Sequence, residues 1–269
     1  MKLDQAAPHA ALRGYVRCFQ QREADFTAAS VVFPLAARPA QILEFYLQER
    51  YVIHYAASGA VETAPRAVVV GPATYRRADL VLPGHLLVFT IQFQASGFHQ
   101  LFRLPVADLV DRAYEAQSMI GSRVTGLEQR LADAGDFEER VRLATAFLLR
   151  YRNPGTTLDP VAIVANRALA GYRPVRVAQA AHEAGLSTRQ FERRFAACVG
   201  VSPGQYAAII RFDRALAAKL AAPTRLWTDI AQDVGYYDQM HLVRAFAGFA
   251  GESPTRYFRR ILAMPRHWA

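Results

Sequence analysis

The spacing of apolar positions changes along the chain. Between about residues 26 and 94 they fall in short runs rich in Val, Ile, Phe and Tyr: Val31–Phe33, Ile42–Leu47, Tyr51–Ala56, Ala67–Val70, Leu80–Leu82 and Leu86–Phe93. Turn formers separate them, at Pro34, Pro39, Ser58-Gly59, Gly71-Pro72 and Pro83-Gly84. Runs of this length, punctuated this way, predict strands. Phe89-Thr90-Ile91-Gln92-Phe93-Gln94 alternates cleanly, as a strand with one buried face does. Several short antiparallel strands at this spacing predict a small barrel or sandwich.

After Ala95 the period lengthens. Phe98, Leu101 and Phe102 open a helical stretch, and Leu127, Leu131 and Ala134 mark another. Phe137, Val141, Ala144, Leu148 and Tyr151 step by four, three, four and three, which places them on one helix face. Asn153-Pro154-Gly155 stops that helix. Helices in this position cover the barrel or pair with a second copy. Residues 137–171 are therefore the candidates for homodimer contact and linker.

The last third repeats itself. Phe191-Glu-Arg193-Arg-Phe195…Gly200-Val-Ser202-Pro203-Gly-Gln-Tyr206 returns 51 residues later as Leu242-Val-Arg244-Ala-Phe246…Gly251-Glu-Ser253-Pro254-Thr-Arg-Tyr257. Each copy follows a short helical run ended by Gly185 or Gly235, as a glycine in the left-handed conformation ends a helix. Ser187 with Gln190 three residues on predicts a capping box, and Asp238 a second cap. The next helix buries Phe191, Phe195 and Cys198 in one copy and Leu242, Phe246 and Phe249 in the other. Ser-Pro then opens a further helix in both. Ile209, Phe212, Leu216 and Leu220 form the apolar face of a long connecting helix that ends by Pro223. Helix, glycine turn and second helix, twice over, predict two helix-turn-helix units.

Charge supports a polyanionic partner. The net charge is +9, and residues 155–269 hold 15 Lys and Arg against 8 Asp and Glu, while residues 1–154 hold 17 against 15. The two cysteines, Cys18 and Cys198, lie in apolar surroundings far apart, with neither disulfide nor zinc spacing. No 18-residue apolar run exists and the start lacks a signal peptide's apolar stretch, so a cytoplasmic protein outside the membrane is expected. His54, His85 and His99 are isolated; no metal-ligand spacing, nucleophile motif, phosphate loop or cofactor motif appears.

These residues carry a resemblance to the DNA-binding domain of AraC/XylS-type transcriptional regulators. It covers about residues 165–262. Its pattern is met by Ala181, Gly185-Leu186-Ser187, Phe191-Glu-Arg193-Arg-Phe195 and Ser202-Pro203-Gly-Gln-Tyr206. The second copy supplies Asp229-Ile230-Ala231…Gly235-Tyr236, Leu242-Val-Arg244-Ala-Phe246 and Ser253-Pro254-Thr-Arg-Tyr257. The resemblance implies a seven-helix domain whose two recognition helices enter successive major-groove segments of promoter DNA, roughly 34 Å apart. The DNA-facing candidates are Arg189, Gln190, Glu192 and Arg193 on the first helix, and Gln239, Met240, His241 and Arg244 on the second. Arg193 and Arg244 suit either a guanine edge or a phosphate. Glu192 suits a cytosine amine or an intramolecular arginine. Met240 and His241 suit thymine methyls or no base. Tyr237, where the family often has a small or charged residue, departs from the pattern.

The amino-terminal half resembles, less specifically, the cupin-like barrels attached to many members, through Pro8…Leu12-Arg-Gly-Tyr15 and its Gly-Pro and Pro-Gly turns. The resemblance implies a sensor or dimerisation domain, and RNA polymerase as a partner. Polar residues within the strands either face solvent or line a small-molecule effector site; the candidates are Glu44, Tyr46, His54, Tyr75 and Gln92. The expected architecture is α+β: a cupin-like β-barrel with flanking helices over residues 1–153, a linker at 154–164, and an all-α domain of two helix-turn-helix units at 165–269. The expected function is a sequence-specific, effector-responsive regulator, an activator in the commoner family outcome. The alternatives are a cupin-type enzyme with a DNA-binding tail and an architectural DNA-binding protein of low specificity.

Overall fold

Side-chain alternation along the central strands sorts the amino-terminal half into two cores. The computed structural model describes residues 2–27, 30–82, 84–153, 155, 158–170 and 176–262, apart from the side chains of 169 and 170. Pro83 and Pro154, at two of the expected turns, lie outside these residues. Among the described residues the strands are β1 (Lys2–Ala6), β2 (Val16–Asp25), β3 (Val31–Leu35), β4 (Ile42–Tyr46), β5 (Val52–Tyr55), β6 (Val61–Thr63), β7 (Ala67–Val70), β8 (Ala78–Leu82), β9 (His85–Phe93) and β10 (Ala113–Glu115). They form a six-stranded antiparallel sheet, β1-β2-β9-β4-β7-β10, and a four-stranded one, β3-β8-β5-β6. The α+β class is as expected. The strands stand as two sheets and do not close into one hydrogen-bonded barrel.

On the outer face of the large sheet, Phe19, Leu43, Phe45, Phe89, Ile91 and Phe93 form a core with helical residues. The helices are α1 (Gly97–Phe102), α2 (Ala116–Ile120), α3 (Arg123–Asp133) and α4 (Phe137–Leu149). Asp136 caps α4 by accepting from the Glu139 amide. Arg140, buried on α4, donates to Gln21 Oε1 on β2 at 2.8 Å and to the carbonyls of Leu131 and Ala134. That buried charge is fully engaged, as burial demands. On the inner face Tyr46, Val68, Leu86 and Val88 meet Tyr51 and Leu82 in a second core.

The carboxy-terminal helices are α5 (Pro160–Ala170), α6 (Val177–Glu183), α7 (Thr188–Val199), α8 (Pro203–Ala221), α9 (Trp227–Val234), α10 (Gln239–Ala250) and α11 (Pro254–Leu262). α5 starts inside the stretch expected as linker, and its Val161, Ala165 and Ala168 pack with Phe191 and Phe195. α8 serves two cores. Tyr206 and Ile210 join the first unit, while Ile209, Phe212 and Ala215 join Leu242, Phe246 and Tyr257 in the second. Both cysteines are buried free thiols, and burial pushes Cys198 up to about 11.

Each helical unit is seated on a different part of the amino-terminal domain. The segment after β3 enters the second unit, where Ala36 and Ala37 belong to its core. The Ala37 amide donates to the Phe249 carbonyl at 2.9 Å, and the Tyr257 hydroxyl donates to the Pro34 carbonyl at 3.2 Å. Beside them Glu252 accepts from Arg76 at 3.3 Å and from Arg260 at 3.1 Å, and Arg76 also pairs with Asp79. The first unit rests on a 3-10 turn, Val106–Leu109, through Gly200.

Gly200 has φ +96°, and an added Cβ would sit 2.8 Å from Val110 Cγ2. Gly185 has φ +67° with open space around it. Gly185→Ala should therefore cost only the left-handed backbone strain, about 1–2 kcal/mol. Gly200→Ala adds a clash across the domain contact and should cost measurably more in chemical denaturation of the full chain. Equal losses would show that the contact adds nothing.

Candidate nucleic-acid interface

The first unit is built as its sequence dictates. Gly185 turns the chain, and the Leu186 amide returns to the Ala181 carbonyl at 2.9 Å. Ser187 Oγ accepts from the Gln190 amide, while Gln190 Oε1 accepts from the Ser187 amide at 3.0 Å, completing the capping box. Phe191 and Phe195 are fully buried, with Phe195 edge-on to Tyr206. The helix period then leaves Arg189, Gln190, Glu192 and Arg193 exposed on the opposite side. Among the described residues Arg189, Glu192 and Arg193 make no side-chain hydrogen bond or ion pair, so the intramolecular partner open to Glu192 is not used. The Gln190 amide oxygen is taken by the cap. Arg194 is half-buried and pairs with Asp159, just ahead of α5.

The second unit uses the same scaffold with different outward groups. Gly235 has φ +84°, and the Asp238 carboxylate accepts from the His241 amide at 2.6 Å. Leu242 and Phe246 are buried; Phe249 is half-buried against Phe212. Gln239, Met240 and Arg244 are exposed. His241 is not presented in the same way. Its ring accepts from the Tyr237 amide at 3.4 Å and lies edge-on to Tyr236, 5.1 Å between centroids. Arg211 stands over the other partner of that contact, the Tyr236 ring, at 5.5 Å. Tyr237, noticed in the sequence only as a departure, is 92% exposed, and Met240 61%. A tyrosine and a methionine left in water at the start of a recognition helix mark a surface with an apolar component.

The residues singled out on the strands divide. Glu44, Tyr46 and Gln92 share the inner face of the large sheet. Glu44 is buried, accepts from Arg22 Nη2 at 2.5 Å, from Thr90 Oγ1 at 3.0 Å and from the Tyr46 hydroxyl at 3.1 Å. Burial and Glu44 push the Tyr46 phenol well above its ordinary range, so it stays a donor. Gln92 donates to Gln20 at 2.6 Å. His54 and Tyr75 are exposed and are not brought to this cluster. Sequence reasoning missed Arg22 and Arg38, which line the same face.

Residues 180–260 match the family model of a helix-turn-helix domain. The carboxy-terminal third is an AraC-type helix-turn-helix domain. Residues 4–115 match a Domain of unknown function (DUF6597). No curated protein matches the chain. Among solved structures, ToxT from Vibrio cholerae O395 is 10% identical, with 91% of this chain and 99% of that chain covered, at a TM-score of 0.48. Unsaturated fatty acid bound wild-type ToxT from Vibrio cholerae strain SCE256 is 10% identical, with 93% and 97% covered, at 0.47. These likenesses are remote. No described helix is long and apolar enough to cross a membrane.

The AraC-type domain thus separates scaffold from outward groups, and the two respond differently to truncation. Gln190→Ala removes half the capping box and should destabilise by about 1 kcal/mol. Glu192→Ala, at an exposed site without partners, should stay within about 0.5 kcal/mol. Denaturant titration of the full chain distinguishes them; a larger loss for Glu192→Ala would place that side chain in the scaffold.

Proposed function

We propose that this chain is a one-component transcription regulator whose two helix-turn-helix units bind double-stranded promoter DNA while its amino-terminal domain conditions that binding. One observation carries the reading. Both second helices turn exposed side chains outward on capped, buried scaffolds, and each unit is separately anchored to the amino-terminal domain. Unpartnered arginines on a recognition helix suit phosphate and guanine alike, since phosphate contacts position a protein and base contacts specify sequence. Arg189, Glu192 and Arg193, with the Gln190 amide nitrogen, are the reading set of the first unit. Gln239, Met240 and Arg244 are that of the second, with His241 orienting the turn.

Regulation follows if a ligand prefers one seating of the helical units over another, because only differential affinity shifts an equilibrium. The inner face of the large sheet, with Glu44, Tyr46 and Gln92, is the effector side of this reading. Activation through RNA polymerase, and a homodimer, complete it as the resemblance to AraC/XylS-type regulators implies.

The test is competition of the chain's own promoter fragment against random duplex at fixed salt. The fragment should win by about a thousandfold or more. Equal affinity, with a steep salt slope, would replace a regulator by an architectural protein. Arg193→Ala should weaken the promoter complex by about 1–3 kcal/mol and relax preference at one base pair if it reads a base. A uniform loss across sequences would assign it to phosphate. No loss in either would remove the helix from the groove.

A further inference from the structure

The two helix-turn-helix units differ by one residue in their turns. In each, the residue after the glycine is held alike: the Leu186 amide donates to the Ala181 carbonyl at 2.9 Å, and the Tyr236 amide to the Ala231 carbonyl at 2.8 Å. In the first unit the cap Ser187 follows at once. In the second, Tyr237 stands between Tyr236 and the cap Asp238. The extra residue is an aromatic that the fold does not bury. An apolar residue just before a helix cap often packs on the fourth residue of the helix, which here is Leu242. Leu242 is buried, yet Tyr237 is 92% exposed, and Tyr236 takes the inward place.

The backbone at Tyr237, by contrast, is held. Its amide donates to His241 Nδ1 at 3.4 Å, and the next residue, Asp238, accepts from the His241 amide at 2.6 Å. The Tyr236 ring meets His241 edge-on and lies under Arg211. A fixed backbone carrying an exposed tyrosine is a preorganised contact, since the side chain orders few torsions when it is covered. Three positions on, Met240 is 61% exposed on the first turn of α10. It shares a helix face with the exposed Arg244, four residues later, away from the buried Leu242 and Phe246. Gln239 beside it is exposed as well. In the first unit the position of Met240 is held by Arg189. One end of the second recognition helix thus offers an aromatic and a thioether, flanked by an amide and an arginine.

We propose that Tyr237 and Met240 form a contact surface for thymine C5-methyl groups, so that the second unit selects thymine by its methyl and not by hydrogen bonds. That methyl is the only one an unmodified duplex shows in its major groove. An unbranched, polarisable methionine and a flat ring suit so small an apolar target. The surroundings fit a nucleic acid better than an apolar protein face: Gln239 suits adenine, the partner of thymine, and Arg244 suits a phosphate. The Tyr237 hydroxyl also suits a phosphate oxygen. Tyr237 thereby joins the reading set from outside the recognition helix, through the extra residue of its turn. This inference rests on the regulator reading and names what the second unit recognises.

The experiment enriches a duplex from a randomised pool with the full chain, then replaces thymine by uracil in one half of that duplex at a time. Uracil keeps every hydrogen-bonding group and lacks only the methyl. Each contacted methyl removed should weaken binding about fourfold, the worth of one buried methyl, and the effect should be confined to one half. Tyr237→Ala with Met240→Ala should weaken the thymine duplex and bind the uracil one equally well. The unfolding midpoint of that double variant should stay near the parent's, because both side chains are exposed. Tyr237→Phe should keep the thymine preference and lose only affinity common to both duplexes. Equal binding of thymine and uracil duplexes by the parent, or a preference that survives the double variant, would overturn the surface. So would an enriched duplex without thymine, or a double variant as tight as the parent, which would assign these side chains to a protein partner. A chain that enriches no duplex loses the regulator reading and this inference with it; one whose duplex is indifferent to uracil keeps that reading and loses only the thymine surface.

Discussion

The six-stranded sheet is covered on both faces, and that constraint organises the molecule. Every residue of β4 is buried, so the period of two sends Leu43 and Phe45 to the helices and Glu44 and Tyr46 to the inner side. A carboxylate forced inside must be met by donors. Antiparallel register supplies them: Thr90 stands opposite Glu44 on β9, and Arg22 reaches it from β2. The polar centre of the amino-terminal domain is thus a consequence of strand pairing, and Arg38 enters it from the turn that leads into the second helical unit.

The same inner face joins the domains. Its apolar end is closed by the small sheet, and its polar end opens toward α8 and the segment after β3. Because α8 carries the cores of both helix-turn-helix units, a shift of the second unit against that segment strains a helix that the first unit also needs. The first unit meanwhile is seated through Gly200, where an added Cβ would press on Val110 and Val106. Packed contacts of this kind do not deform gradually; they hold one arrangement or change to another. On the proposed reading, the anchoring of two units at two places lets one amino-terminal domain set the separation of two recognition helices.

Much of this was legible in the sequence, for identifiable reasons. Strands rich in apolar residues with clean alternation, such as Leu86–Phe93, announced themselves. β2 did not, because VRCFQQREAD places polar groups on both faces, Gln21 toward the helices and Arg22 toward the inner side, satisfied only by partners elsewhere in the chain. Local devices, the capping box at Ser187 and the Asp238 cap, depend on residues three apart and were readable. The domain contact depends on alanines and backbone groups more than 200 residues apart, which leave no local pattern. Arg38, followed by Pro39, reads as an ordinary turn residue; only the fold shows it without a partner. His54 and Tyr75 carried the same signal as Glu44, a polar group near a strand, and period alone could not say which sheet face was covered.

The internal repeat gains meaning from its differences. Positions shared by the copies are mostly the glycines, the buried Phe195/Phe246 and Tyr206/Tyr257, and the Ser-Pro caps, which such a unit needs in order to fold. The positions that differ are exposed. In the first unit they include the charged Arg189 and Glu192, while the exposed Arg193 recurs as Arg244. In the second they include Tyr237 and Met240, while His241 is folded back on its own turn. On the proposed reading, charged groups suit hydrogen-bonding base edges and phosphates, and apolar ones suit thymine methyls, which discriminate less. The unit with the weaker reading set is also the one whose core contains Ala36 and Ala37 of the amino-terminal domain. That pairing is physically economical. On the same reading, a unit with a modest contribution to specific affinity can be reseated without losing the site, because the first unit would hold the register while the second adds or withholds its share.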